Sequence, residues 1–249
     1  MRLRQLRPRR FCAAAFERRQ LECIASLQDG RPACEVFEAV HGRFLLDDVA
    51  TMQECRLAVS VARDAMSVCC DSDGAGRLFP PHVPEAAQFL GATGVHLFNE
   101  LGARVSARVC ERYGEAEVVN TLLSWISGPD DGCPSEDADS APRSFDWRRD
   151  AAHGTYAPHV DKANQPEYDV SALLYLTTAG QDFSGGLFAF NDIDCDRLIR
   201  PAAGRLLAFP SGFNNLHQVR PVRRGERFVL SMWFRSLAPP PHDVLTGST

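Results

Sequence analysis

The sequence predicts a mainly β domain, a double-sheet jelly roll with supporting α-helices packed outside it, on three observations. The second half reads as short strands over residues 169–178, 186–190, 205–209 and 227–234, parted by Gly and Pro turns. The first half carries two stretches of helical periodicity. With 45% hydrophobic residues in 249 and no internal repeat, the chain can bury one substantial core.

Residues 1–40 read as a leader, partly disordered, with a short helix near 16–26. Arg2, Arg4, Arg7, Arg9 and Arg10 stand there with no acid in the first 16 positions, and the apolar run 11–16 is too short for a signal-peptide core. A single domain is expected over 41–240, with helical support over 41–114 and a β core over 115–237, followed by a tail over 241–249. Phe44-Leu45-Leu46 reads as a strand. Thr51-Met52-Gln53-Glu54 is a capping box, and Cys55, Ala58, Val59, Ala62 and Met66 recur behind it at helical spacing. Residues 67–84 read as a loop. A longer helix is expected over 85–112, buried through Phe98, Leu101, Val105 and Val109 and stopped by Gly114. Residues 118–126 read as a strand. The segment 128–140 holds Asp130, Asp131, Glu136, Asp137 and Asp139. It reads first as a solvated insertion and second as a lid that greets a basic substrate. His82 and His96 read as ordinary surface or core histidines.

The chemistry gathers between residues 156 and 234. Tyr156-Ala157-Pro158-His159-Val160-Asp161 places an imidazole and a carboxylate at i and i+2, a spacing that suits one face of a strand. A second imidazole, His217, follows 58 residues later, and Arg227 ten residues after that. Two imidazoles and one carboxylate are the ligands of a non-haem Fe(II) site with open positions. In the strand 227–234, Phe228, Leu230, Met232 and Phe234 share an apolar face expected to pack between sheets. Arg227, Val229, Ser231 and Trp233 share the other face. Its guanidinium enters an apolar setting, where a bound dicarboxylate would pair it bidentately.

These motifs resemble the Fe(II)/2-oxoglutarate-dependent dioxygenases of the prolyl hydroxylase type. The matching pieces are His159-Val160-Asp161, Leu173-Leu174-Tyr175-Leu176, Gly185-Gly186-Leu187-Phe188-Ala189-Phe190, Pro201 to Phe209, the loop Ser211 to His217, and Gly225-Glu226-Arg227. The distal-His loop and Met232-Trp233-Phe234 look closest to the leprecan, or prolyl 3-hydroxylase, branch. The resemblance implies a double-stranded β-helix (cupin-like) core, with Fe(II) on His159, Asp161 and His217. It implies 2-oxoglutarate with its far carboxylate on Arg227 and Tyr175, and O2 as second co-substrate, with ascorbate in support. Tyr156, Ser231 and Trp233 are expected to line the pocket, and no catalytic residue is expected beyond the iron ligands. The implied reaction hydroxylates a prolyl residue of a protein or peptide and releases succinate and CO2. A free small molecule as substrate, or a non-catalytic jelly-roll binding protein, are the alternatives.

A net charge of −5 offers no basic footprint for nucleic acid. No apolar run approaches the roughly 18 residues of a membrane span. Nine cysteines, an odd number, leave open a secretory chain with disulfides or a chain of free thiols. The secretory pathway and endoplasmic reticulum are suggested by the resemblance alone.

Overall fold

The computed structural model describes residues 18–20, 22–24, 27, 32–69, 77–79, 86–128 and 157–237. Two sheets face each other. The smaller contains β1 (Ala33–Cys34), β7 (Phe188–Asn191), β8 (Asp196–Ile199) and β10 (His217–Val219), in the order β1-β8-β7-β10. The larger runs β2 (Phe44–Leu46), β9 (Leu206–Pro210), β5 (Val170–Tyr175), β11 (Val222–Ser236), β4 (Ala116–Ser127) and β3 (Arg77–Phe79). β6 (Phe183–Gly185) also pairs with β11. All the pairings are antiparallel except β1 with β8.

The helices α1 (Met52–Cys69) and α2 (Ala87–Tyr113) cover the outer face of the larger sheet. The capping box forms as the sequence predicts: the Thr51 N–H donates to Glu54 Oε2 at 2.8 Å and the Glu54 N–H to Thr51 Oγ1 at 3.2 Å. Phe98, Leu101, Val105 and Val109 form the buried stripe of α2, which ends at Gly114. A kink at Gly91 (φ 64°) breaks its first turn.

β11 is the central strand, and its alternation sorts the core into two layers. Phe228, Leu230, Met232 and Phe234 face α1 and α2, not the second sheet. This corrects the expectation that the apolar face packs between sheets. Alternation shows that a face is buried, and a helix layer buries it as well as a sheet does. The opposite face, with Val229, looks inward. There Tyr175, Phe183, Phe188, Phe190, Leu207 and Phe209 fill the space between the sheets. Each fully buried side chain of this size contributes about 1.5–3 kcal/mol.

The strands expected over 118–126, 169–178, 186–190, 205–209 and 227–234 are present with shifted ends. Two expectations fail within 67–84: α1 continues to Cys69, and Arg77–Phe79 is a strand on β4. Residues 18–20 and 22–24 are helical, in line with a helix near 16–26. Tyr156, His82, the acidic residues of 129–140 and the tail 241–249 lie outside the described residues, as do residues 1–17 of the basic leader.

Candidate active site

An isolated antiparallel bridge brings the two histidines together. The His159 N–H donates to the His217 carbonyl at 2.8 Å, and the His217 N–H donates back at 3.0 Å. Directly opposed residues of an antiparallel pair present their side chains on one face, and the imidazole centroids lie 4.3 Å apart. Val160 is extended (φ −121°, ψ 122°), so Asp161 follows His159 onto the same side. Asp161 itself opens a one-turn helix, α3 (Asp161–Asn164), where the sequence predicted a strand.

The three side chains converge. His159 Nε2 lies 3.5 Å from Asp161 Oδ1, and His217 Nε2 lies 3.8 Å from Oδ2. Each residue offers one ligand atom, and these atoms fall within 4.8 Å of one another. His159 is the outermost, its side chain 24% exposed against 6% for His217 and 8% for Asp161. Both imidazoles are oriented from behind, with Nδ1 2.8 Å from the Ala157 carbonyl in His159 and 2.9 Å from the Asn215 carbonyl in His217. A carbonyl accepts only, so Nδ1 carries the proton and Nε2 faces Asp161 as a lone-pair donor. Phe188 stacks on the His217 ring at 5.1 Å and Phe209 meets it edge-on at 5.0 Å.

Asp161 is held by a hydroxyl pair that the sequence reading missed. Ser171 Oγ donates to Asp161 Oδ2 at 2.6 Å and is itself 2.7 Å from Ser211 Oγ. The available signal was a serine placed among apolar residues in Val170-Ser171-Ala172-Leu173-Leu174.

Protonation follows from this packing. Burial opposes the charged forms throughout. At Asp161 it is outweighed by the facing imidazoles of His217 and His159 and by the Ser171 hydrogen bond, which hold the carboxyl well below its usual range. At His217 burial and then the charge of His159 lower the imidazole to about 4. At His159 burial is overcome by the hydrogen bond and charge of Asp161, which raise it. An ionised Asp161 and neutral imidazoles are the forms a divalent metal binds.

The triad lies on the wall of a cavity of about 400 Å³ that also includes Leu173, Arg227, Val229, Ser231 and Trp233. Arg227 is 2% exposed and its Nε donates to the Gly186 carbonyl at 3.0 Å. Gly186 sits at φ +62°, and a Cβ there would meet Phe183 Cε2 at 2.7 Å and Arg227 Cδ at 3.1 Å, so a side chain would crowd the arginine stem. Tyr175 lies below the guanidinium, with its ring centroid 5.5 Å from Arg227 Cζ. Its buried hydroxyl has no hydrogen-bond partner among the described residues. Burial, against the pull of the Arg227 charge, pushes it up to about 12, so it is a protonated donor. Trp233 stacks on Tyr168 at 5.2 Å, and Asn120 Nδ2 donates to the Tyr168 hydroxyl at 2.8 Å. Thus seven of the eight residues singled out from sequence meet here, Tyr156 lying outside the described part. His96 sits exposed on α2.

A buried cation, an orphaned phenol and a two-nitrogen, one-carboxylate donor set fit a divalent metal with a bound dicarboxylate. Comparison with known proteins agrees. Residues 148–235 match the sequence model of the 2OG-Fe(II) oxygenase superfamily. The chain is 29% identical over 204 residues to the Xenopus tropicalis 2-oxoglutarate and iron-dependent oxygenase domain-containing protein 3, covering 78% of this chain and 62% of that protein. It is 30% identical over 222 residues to mouse (Mus musculus) prolyl 3-hydroxylase 2, covering 77% of this chain and 29% of that protein. The chain thus spans about three-fifths or less of these curated relatives. The crystal structure of a viral collagen prolyl hydroxylase from Paramecium Bursaria Chlorella virus-1, in its 2OG complex, superposes with a TM-score of 0.52 at 13% identity. That match covers 79% of this chain and 96% of the other, and shows a common fold. No helix among the described residues is long and apolar enough to cross a membrane. Residues 148–235 thus match the 2OG-Fe(II) oxygenase superfamily on a jelly-roll core, and that superfamily implies Fe(II), 2-oxoglutarate and O2.

Proposed function

We propose that this chain is an Fe(II)- and 2-oxoglutarate-dependent dioxygenase that hydroxylates a prolyl residue of a protein or peptide, with release of succinate and CO2. The observation that carries the proposal is the convergence of His159, Asp161 and His217 on one cavity whose lining also includes the buried Arg227. In this account His159, Asp161 and His217 hold Fe(II) and leave coordination positions open. The metal, when bound, supplies the oxygen chemistry.

The chain's own residues position and shield. The Ala157 and Asn215 carbonyls keep each Nε2 free of its proton, and Ser171 fixes the plane of the Asp161 carboxylate. Arg227 takes the far carboxylate of 2-oxoglutarate in charge-assisted hydrogen bonds, and Tyr175 donates to the same group. Leu173, Phe188 and Val229 keep water from the inner cavity, which strengthens that pairing. Ser231 and Trp233 line the same cavity and offer the substrate a hydroxyl and an aromatic wall. The prolyl assignment is supported by the likeness to a relative named for prolyl 3-hydroxylation.

The test is a panel of proline-bearing peptides incubated with the protein, Fe(II), 2-oxoglutarate and ascorbate, then read by mass spectrometry. Gain of one oxygen on proline, matched mole for mole by succinate, is expected. Succinate coupled instead to oxidation of a free small molecule would replace the substrate class. Metal binding without 2-oxoglutarate binding would favour a non-catalytic binding protein.

A further inference from the structure

Arg43 is the largest fully buried charged side chain described, 1% exposed, and it stands outside the cavity. It follows a short 3-10 turn (Val40–Gly42) and precedes β2. Its guanidinium lies 3.7 Å over the Phe190 ring, and Nη1 donates to Asp192 Oδ2 at 2.8 Å. Asp192 also accepts from Arg197 Nε at 3.0 Å. The remaining face of Arg43 turns to the loop before His217, where Nε donates to Asn215 Oδ1 at 2.8 Å.

Asn215 is itself 1% exposed and used at both ends. Its Nδ2 donates to the Pro210 carbonyl at 3.0 Å and to the His41 carbonyl at 3.2 Å. His41 is a non-glycine residue in the left-handed region (φ 54°), a conformation that persists where surrounding contacts over-determine it. The backbone carbonyl of this same Asn215 receives the Nδ1 proton of His217. One uninterrupted chain of contacts therefore runs from a buried ion pair to the back of an imidazole in the triad.

We propose that Arg43 is a positioning residue for the distal metal ligand. By clamping the Asn215 side chain it fixes the carbonyl that sets the tautomer and direction of His217. Partners behind a metal-bound histidine typically carry a 10- to 100-fold effect on metal affinity, as an order of magnitude. This inference rests on the metal-site proposal above. Asp192 keeps Arg197 when Arg43 is removed, so substitution does not strand a buried acid.

The test uses Co(II) titration of the full chain, read by the visible absorption of the bound ion, with thermal unfolding of the metal-free protein in parallel. Arg43→Met and Asn215→Ala are each expected to weaken Co(II) binding roughly 10- to 100-fold and to alter its spectrum. The double variant should lose little more than either single one, because both act through one carbonyl. Arg43→Lys keeps the charge without the fork and should fall between. Arg104→Met, which breaks the remote Arg104–Glu54 pair, serves as the stability control and should leave affinity and spectrum unchanged. Folded Arg43→Met protein with wild-type Co(II) affinity and spectrum would overturn the proposal and leave Arg43 a structural residue. Strictly additive losses would also overturn it. Failure of the wild type to bind Co(II) would instead sink the metal-site proposal.

Discussion

Arg227→Met removes the cation on which 2-oxoglutarate binding depends in this account while keeping most of the side-chain volume. Arg227 is 2% exposed, so a carboxylate paired with it is almost fully desolvated. Truncating one partner of a buried, hydrogen-bonded charge pair costs about 2–5 kcal/mol. That is roughly a 30- to 4,000-fold rise in the Kd for 2-oxoglutarate. The loss has a second part, because the Gly186 carbonyl gives up the Nε donor it now holds at 3.0 Å. An unsatisfied buried acceptor costs about 1–3 kcal/mol of stability, so the variant should also unfold at lower denaturant. Anaerobic titration of metal-loaded protein with 2-oxoglutarate measures the first effect, and urea unfolding the second. Metal affinity should be little changed, since Arg227 touches none of the three ligands. A 2-oxoglutarate Kd within about threefold of wild type, a shift below roughly 1 kcal/mol, would refute the assignment of Arg227 to the dicarboxylate.

Three further outcomes follow from other contacts. Ser171→Ala removes the hydroxyl that orients Asp161 and should weaken Co(II) or Fe(II) binding roughly 10- to 100-fold in a direct titration, with 2-oxoglutarate affinity falling only as metal occupancy falls. Gly186→Ala introduces a Cβ against the Arg227 stem at a positive φ. It should raise the 2-oxoglutarate Kd while sparing metal affinity, and equal affinity would show that the stem has room to move. Glu54 is held down to about 2, first by its hydrogen bond from Arg104 and then by the Thr51 N–H. Its folded value lies below its unfolded one, so its stabilisation is present above about pH 4.5 and fades as pH falls towards 2. Glu54→Gln should therefore be destabilised at pH 7 by urea unfolding, with a gap that narrows below pH 4.5. A gap unchanged down to pH 3 would contradict the assignment.

The chemistry-bearing residues were legible because their spacing is carried by local geometry. An extended residue between His159 and Asp161 points both side chains one way whether or not a strand continues, so the expectation survived the wrong secondary structure. Alternation along β11 likewise placed Arg227, Val229, Ser231 and Trp233 on the cavity side. The helix that starts at Asp161 was hidden because it depends on a distant partner: the Lys162 N–H donates to the Ser211 carbonyl at 3.1 Å. β8 was hidden for a similar reason. Its polar residues Asp196 and Arg197 look like a loop until Arg220 meets the first at 2.9 Å and Asp192 the second at 3.0 Å. The Ser171–Ser211 pair and the Arg43–Asn215 clamp join residues 40 and 172 positions apart, a separation no periodicity encodes.

The most direct test of the central claim is succinate release from 2-oxoglutarate by anaerobically Fe(II)-loaded protein on admission of air, with Asp161→Ala measured beside the wild type. The account predicts succinate from the wild type, raised by an accepted substrate, and none above background from Asp161→Ala, which loses the one carboxylate of the triad. Equal turnover by the two proteins would contradict the placement of the oxygenase centre at His159, Asp161 and His217.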